Sequence, residues 1–128
     1  MTEPIFLTLD EVVEIHQDQI NRYGGSPGIR DIRLLQSALA MPAASFGGQF
    51  LHQNLVEMAG AYLFHLVQDH PFIDGNKRTG AAATVVFLLI NGLAFSAPED
   101  DFEELVRAVA SGKKGKAQAI EFIQKYTR

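Results

Sequence analysis

The stretch HPFIDGNKRTGAAATVVFLLINGL, residues 70–93, carries two kinds of sequence in one element. From Thr84 onward it is an apolar helix that stops at Asn91-Gly92. Ahead of that, His70, Asp74, Asn76, Lys77 and Arg78 crowd the front of the same helix. The pattern predicts a loop over 70–75 and a helix over 76–91. Thr79-Gly80-Ala81-Ala82-Ala83 offers small side chains that permit close helix packing, so this is the expected central helix. A helix held deep in a bundle is a rigid platform, and its N-terminus is fixed with it.

Outward from this stretch, helical periodicity continues in both directions. Ile5-Phe6-Leu7 reads as a short extended piece, and Thr8 with Glu11 forms a capping-box pattern. Val12, Val13, His16, Ile20 and Tyr23 share one face of the helix that follows, which Gly24-Gly25 terminate. Asp31 caps a second helix carrying Leu34, Leu35, Ala38 and Leu39, ended before Pro42. Residues 43–53 have no clear period; two glycines and two phenylalanines there suggest a mobile loop or a short hairpin, with Phe46 and Phe50 folding back on the core. Asn54 with Glu57 opens a third helix, and Pro98 with Glu99-Asp100-Asp101 suits the first turn of a later one. Lys113–Lys116 reads as a solvated linker before a last helix with Ile120, Ile123 and Tyr126. The expectation is an all-α fold, a compact bundle of about six helices forming a single domain over residues 1–128.

The bulk numbers narrow the function. A net charge of −4 lacks the basic face of a nucleic-acid binder, which disfavours direct nucleic-acid binding but leaves room for a local anion site. There is no cysteine, which excludes disulfides and thiolate zinc sites. The first residues lack a basic region followed by an apolar run, and the longest apolar run, 81–90, is too short for a bilayer. A cytoplasmic protein with no membrane partner is expected.

The residues at 70–78 suit one chemistry. Backbone N–H groups at a helix start lack intrahelical partners and, with the helix dipole, form an anion site. Gly75 lets the backbone approach a ligand closely. Lys77 and Arg78 would oppose the dipole unless an anion sits there. Asp74 offers the hard oxygen that Mg²⁺ accepts when phosphates hold it too, although a carboxylate here could equally cap the helix. His70 can act as a base near neutral pH, and Phe72 anchors the loop in the core. Base, metal ligand, anion nest and cations together suit transfer of a phosphorus-containing group.

His70-Pro71-Phe72-Ile73-Asp74-Gly75-Asn76-Lys77-Arg78 resembles the Fic/Doc signature HPFx(D/E)GN(G/K)R at all nine positions. The opening FLTLDEVVEIH, GIRDIRLLQSALAMP and the Phe/Gly-rich segment after it look like the short Doc (death-on-curing) branch. The resemblance implies His70 as the catalytic base, Asp74 as the Mg²⁺ ligand on ATP, Gly75, Asn76 and Lys77 as the anion hole, and Arg78 as a phosphate contact. It implies Phe72 as structural and 43–53 as a flap that aligns the target chain. AMP-transferring Fic enzymes typically have Gly where this chain has Lys77, and a second arginine where it has Ala81. Both departures resemble the Doc toxins, which transfer the γ-phosphate to a threonine of elongation factor Tu and halt translation. No (S/T)xxxE(G/N) inhibitory helix occurs in the chain, so the resemblance implies a separate Phd-like antitoxin. The competing readings are a Fic-type nucleotidyl transferase and a catalytically silent Fic-fold binding module. Among the remaining polar residues, His16 reads as a packed histidine, His52 as a flap residue, and Arg30 as a surface or capping residue.

Overall fold

A computed structural model describes residues 3–128. Within them run α1 (Leu9–Tyr23), α2 (Ile32–Ala40), the two-stranded hairpin β1 (Ser45–Phe46) and β2 (Gln49–Phe50), α3 (Leu55–Asp69), α4 (Asn76–Ile90), α5 (Glu99–Ala110) and α6 (Lys116–Tyr126). The all-α expectation holds. None of these helices is long and apolar enough to cross a membrane.

The helix starts follow from side chains that satisfy the first N–H groups. Thr8 accepts from the Glu11 amide while Glu11 accepts from the Thr8 amide at 2.8 Å. Asp31 accepts from the amides of Arg33 and Leu34. Asn54 accepts from the Glu57 amide, but the Glu57 carboxylate turns one residue further back, to the Gln53 amide at 3.0 Å. Each such cap contributes about 1 kcal/mol. The tip of the hairpin is Gly47-Gly48, both at positive φ, the backbone that a two-residue turn between twisted strands requires.

Helix α3 packs against α2, α4, α5 and α6, and α4 packs against α3, α1 and α5. Two glycines allow this closeness. A Cβ on Gly80 would lie 2.7 Å from Val67 Cγ2, and one on Gly60 would lie 2.3 Å from Ile120 Cγ1. The core between the helices is built around Tyr62, Leu63, Leu66, Phe72, Phe87 and Leu88, all at most 1% exposed. One side of α4 stays open, with Leu89 69% exposed.

One local expectation is refined and two need correction. Residues 5–7 pair with no strand; the Asn91 side chain holds Ile5 by both its N–H and its C=O, a side-chain imitation of a strand partner. Only Phe50 turns to the core, edge-on to Phe6, whereas Phe46 is 84% exposed, because Phe50 pairs with Ser45 and Phe46 with Gln49, and successive pairs along the hairpin point to opposite faces. Lys116 is not linker but the first residue of α6, half-buried, with its Nζ 3.2 Å from Nε2 of His52.

Candidate active site

The loop 70–75 joins the end of α3 to the start of α4, so its geometry is set by two helix termini. Phe72 fixes its middle: the ring is buried and stacks at 3.9 Å, nearly parallel, on the ring of His16 from α1. His16 also bonds the Asp74 carbonyl through Nε2 at 2.8 Å. A carbonyl only accepts, so this nitrogen carries the proton. His16 is therefore a packed histidine with a partner, and that partner is the candidate catalytic loop.

Asn76 is 6% exposed and its side chain turns inward. Its Oδ1 accepts from the Phe72 N–H and its Nδ2 donates to the Phe72 carbonyl, each at 2.9 Å. This pair closes the loop as a peptide partner would. The same Nδ2 stands 3.3 Å from Nδ1 of His70. The anion hole can thus draw on Asn76 through its backbone N–H, while its carboxamide serves the loop.

His70 is solvent-exposed and sits at φ 50, ψ 53, the only non-glycine residue at positive φ among the described residues. Left-handed backbone costs a residue with a Cβ about 1 kcal/mol or more, and such strain gathers at functional sites.

The start of α4 differs from those of α1, α2 and α3. Its N-cap is Gly75, left-handed at φ 76, and no side chain caps it. Asp74 does not cap the helix either: its carboxylate accepts from the Gly75 amide at 2.8 Å and from Ser26 at 3.0 Å. Among the described residues nothing meets the N–H groups of Asn76, Lys77 and Arg78, so the anion nest is open. A Cβ on Gly75 would press on Ile20 at 3.2 Å, so only glycine lets the backbone turn this closely against α1.

The charges around the nest follow from the same packing. Asp74 is exposed, and the Ser26 and Gly75 amides, with a smaller pull from Arg78, hold its carboxyl below the ordinary carboxylate range. It is ionised at neutral pH, with lone pairs left facing outward. Arg78 is half-buried and donates to the carbonyls of Gln19 and Gly24 at the end of α1, leaving its other N–H groups for a ligand. Lys77 is exposed, at the mouth of a groove of about 760 Å³ that Tyr23, Arg78, Ala81 and Glu103 also line. The structure therefore brings His70, Asp74, Gly75, Asn76, Lys77 and Arg78 to one rim, with Phe72 beneath. His52 lies apart, buried beside Lys116 rather than facing a target.

Sequence reasoning reads His16 as a packed histidine and Arg30 as a surface or capping residue, but does not place either as a support of this loop. Arg30 donates from Nε to the His70 carbonyl at 2.7 Å and from Nη2 to the Asp69 carbonyl at 3.0 Å. The signal for His16 was its place on an apolar helix face; for Arg30 nothing in the local pattern indicates a partner forty residues away.

The Fic/DOC family matches residues 6–88, a span that contains the whole loop. The chain is 40% identical over 91 residues to the Toxin Doc of Mycolicibacterium smegmatis (strain ATCC 700084 / mc(2)155), covering 70% of each chain. It is 30% identical over 105 residues to the Protein kinase doc of Escherichia phage P1, covering 81% of each.

Proposed function

Because this chain belongs to the Fic/Doc family, we propose that it is a Doc-like toxin which transfers the γ-phosphate of ATP to a Thr or Ser hydroxyl of a protein, elongation factor Tu, and so blocks translation. The observation that carries the reading is the uncapped N-terminus of α4, with Lys77 at its mouth and the exposed His70 and Asp74 beside it. An open nest lined with cations wants an anion, and a base next to it wants a hydroxyl. His70 takes the proton of the attacking hydroxyl. The hydroxyl oxygen bonds to the γ-phosphorus as the bond to the β–γ bridging oxygen breaks, and ADP leaves. The N–H groups of Asn76, Lys77 and Arg78 hold the phosphoryl oxygens, where developing charge is stabilised without reorganisation.

Asp74 fits a magnesium ion shared with phosphates. Its carboxylate is ionised, exposed and held still by two amides. Among the described residues no three His, Asp or Glu side chains converge as a metal cage, which suits an ion whose remaining ligands are phosphate oxygens and water. Asp74 would hold such an ion, which would supply charge neutralisation on the phosphates.

Transfer of γ-phosphate rather than of a nucleotide is favoured by the groove. Lys77 and Ala81 both line it, so it has a cation at its mouth and a methyl group where a second arginine would rise. Beyond Ala81 the floor continues over Ala82 and Val86 between α4 and α1, with Glu11, Glu14 and Asp18 along the α1 side. This trough is our seat for a basic, apolar-striped segment of a Phd-like antitoxin. ATP and a translation factor place the protein in the cytoplasm.

The test is label transfer in a bacterial lysate with Mg-ATP labelled at either the α or the γ phosphorus, with a His70→Ala control. We expect γ label on elongation factor Tu, lost in the control. Label from the α position would instead make the protein a nucleotidyl transferase. No label from a folded protein would favour the silent binding module.

A further inference from the structure

The left-handed backbone of His70 is held from across the chain. Helix α3 ends there, and its last carbonyls need partners that the helix cannot supply. Many helices end on a left-handed glycine, whose backbone closes the terminus without strain. Here the position is filled by the residue that must present a side chain. The closure comes from Arg30, whose Nε and Nη2 reach the carbonyls of His70 and Asp69 at 2.7 and 3.0 Å.

The segment that carries Arg30 is itself stitched to the loop. The amides of Arg30 and Asp31 both donate to the Pro71 carbonyl, at 2.8 and 3.0 Å. The Ile73 amide donates to the Gly28 carbonyl at 3.1 Å, and Ile29 bridges Phe72 in antiparallel fashion. The Arg30 fork therefore does not hang from a free loop. It is registered against residues 71–73 and grips the two carbonyls on the other side of the Pro71 junction.

From this geometry we infer that Arg30 is a positioning residue: its guanidinium holds His70 in the left-handed conformation that aims the imidazole at the nest. In this role Arg30 contacts backbone carbonyls rather than the reacting groups. It acts through the His70 backbone, and a planar guanidinium that bonds two carbonyls at once does what one ammonium cannot. The inference rests on the reading of His70 as the base, but the backbone part stands without it.

The experiment compares wild type, Arg30→Ala and Arg30→Lys by NMR and by γ-label transfer. The three-bond coupling and Cα shift of His70 report its φ directly. In Arg30→Ala we expect the left-handed signature to be lost and kcat to fall roughly 10- to 100-fold, with KM for ATP nearly unchanged because the nest and Asp74 are untouched. Arg30→Lys recovers part of kcat, and added methylguanidinium recovers part of it in Arg30→Ala. If Arg30→Ala does not fold, Arg30→Lys alone carries the test, with the same two readouts shifted in the same directions. A left-handed His70 persisting in the variants, or a fall in kcat with that signature intact, overturns the inference. If wild type transfers no label while His70 loses its left-handed signature in the variants, the proposed activity fails and the positioning role stands.

Discussion

The carboxamide nitrogen of Asn76 stands 3.3 Å from Nδ1 of His70, and its role there is forced. The Phe72 N–H can only donate, which fixes Oδ1 of Asn76 as its acceptor and Nδ2 as the group facing the imidazole. Nδ2 can only donate in turn, so Nδ1 of neutral His70 accepts and Nε2 carries the proton. The bond is long, so under the proposed mechanism an incoming hydroxyl would displace it at small cost and find the Nδ1 lone pair already aimed. We expect ¹⁵N shifts of the free protein to show the Nε2–H tautomer at His70. Asn76→Ala should mix the tautomers. It should also destabilise the protein by about 2–4 kcal/mol, since the N–H and C=O of Phe72 both lose a buried partner. An Nδ1–H tautomer in wild type would refute the assignment.

Asp74 separates a metal-ligand role from a structural one. Its carboxylate accepts two amides, and either kind of oxygen, charged or neutral, can do part of that. Asp74→Asn keeps one acceptor oxygen and removes the charge. The expected outcome is loss of magnesium-dependent transfer by about 100-fold or more, with a thermal midpoint within a few degrees of wild type. Transfer that survives with its magnesium dependence unchanged would remove Asp74 from the ligand set.

Much of the fold was legible because its signals are local. Thr8 with Glu11, Asp31, and Asn54 with Glu57 lie within four residues of the amides they bond. The apolar period then set which faces turn inward. The front of α4 was legible in part: cations at a helix start oppose its dipole and invite an anion, but whether Asp74 caps the helix stayed open until the fold turned its carboxylate to the Gly75 and Ser26 amides. What stayed hidden depends on the tertiary fold. Arg30 is 40 residues from His70, and Lys116 is 64 residues from His52, and no periodicity records such meetings. The inward turn of Asn76 was hidden too, because the same residue type serves a cap, a nest or a loop closure equally well.

Acid should unlock the base of the hairpin. Nε2 of His52, just after β2, faces Nζ of Lys116 on α6, and His65 of α3 lies in the field of both. An ammonium only donates, so His52 must accept and be neutral. Burial pushes the His65 imidazole down to about 4, with Lys116 and then His52 adding to it. Burial and then Lys116 lower His52 as well, against a weaker pull from Glu57. Unfolded histidine titrates near 6.5, so the unfolded chain binds these protons first. The associated stability is complete above about pH 6.5 and is lost as pH falls toward 4, by about 2 kcal/mol at His65 after allowing for solvent screening. Urea midpoints measured across that range should fall toward acid in wild type and much less in His65→Leu. The variant should also gain slightly at pH 7, since it deletes a buried Nε2 that has no partner. An equally steep acid limb in His65→Leu would assign the transition to other groups.

Gly80 should be as sensitive as its neighbours at the nest, although it touches no ligand. A Cβ there would lie 2.7 Å from Cγ2 of Val67, a fully buried β-branched residue that cannot swing away. Alanine gains about 1 kcal/mol of helix propensity over glycine, while overpacking a tight core costs about 1–3 kcal/mol. The overlap wins, so Gly80→Ala should lower stability by about 1 kcal/mol. It should also move α4, and with it the N–H groups of the nest, away from His70 on the end of α3. Transfer should drop by about tenfold, a larger effect than the stability loss explains. Adding Val67→Ala opens room for the new methyl group, so the double variant should recover activity and show favourable coupling in a double-mutant cycle. Additive losses in the double variant would mean that the spacing of α3 and α4 does not set the geometry of the nest.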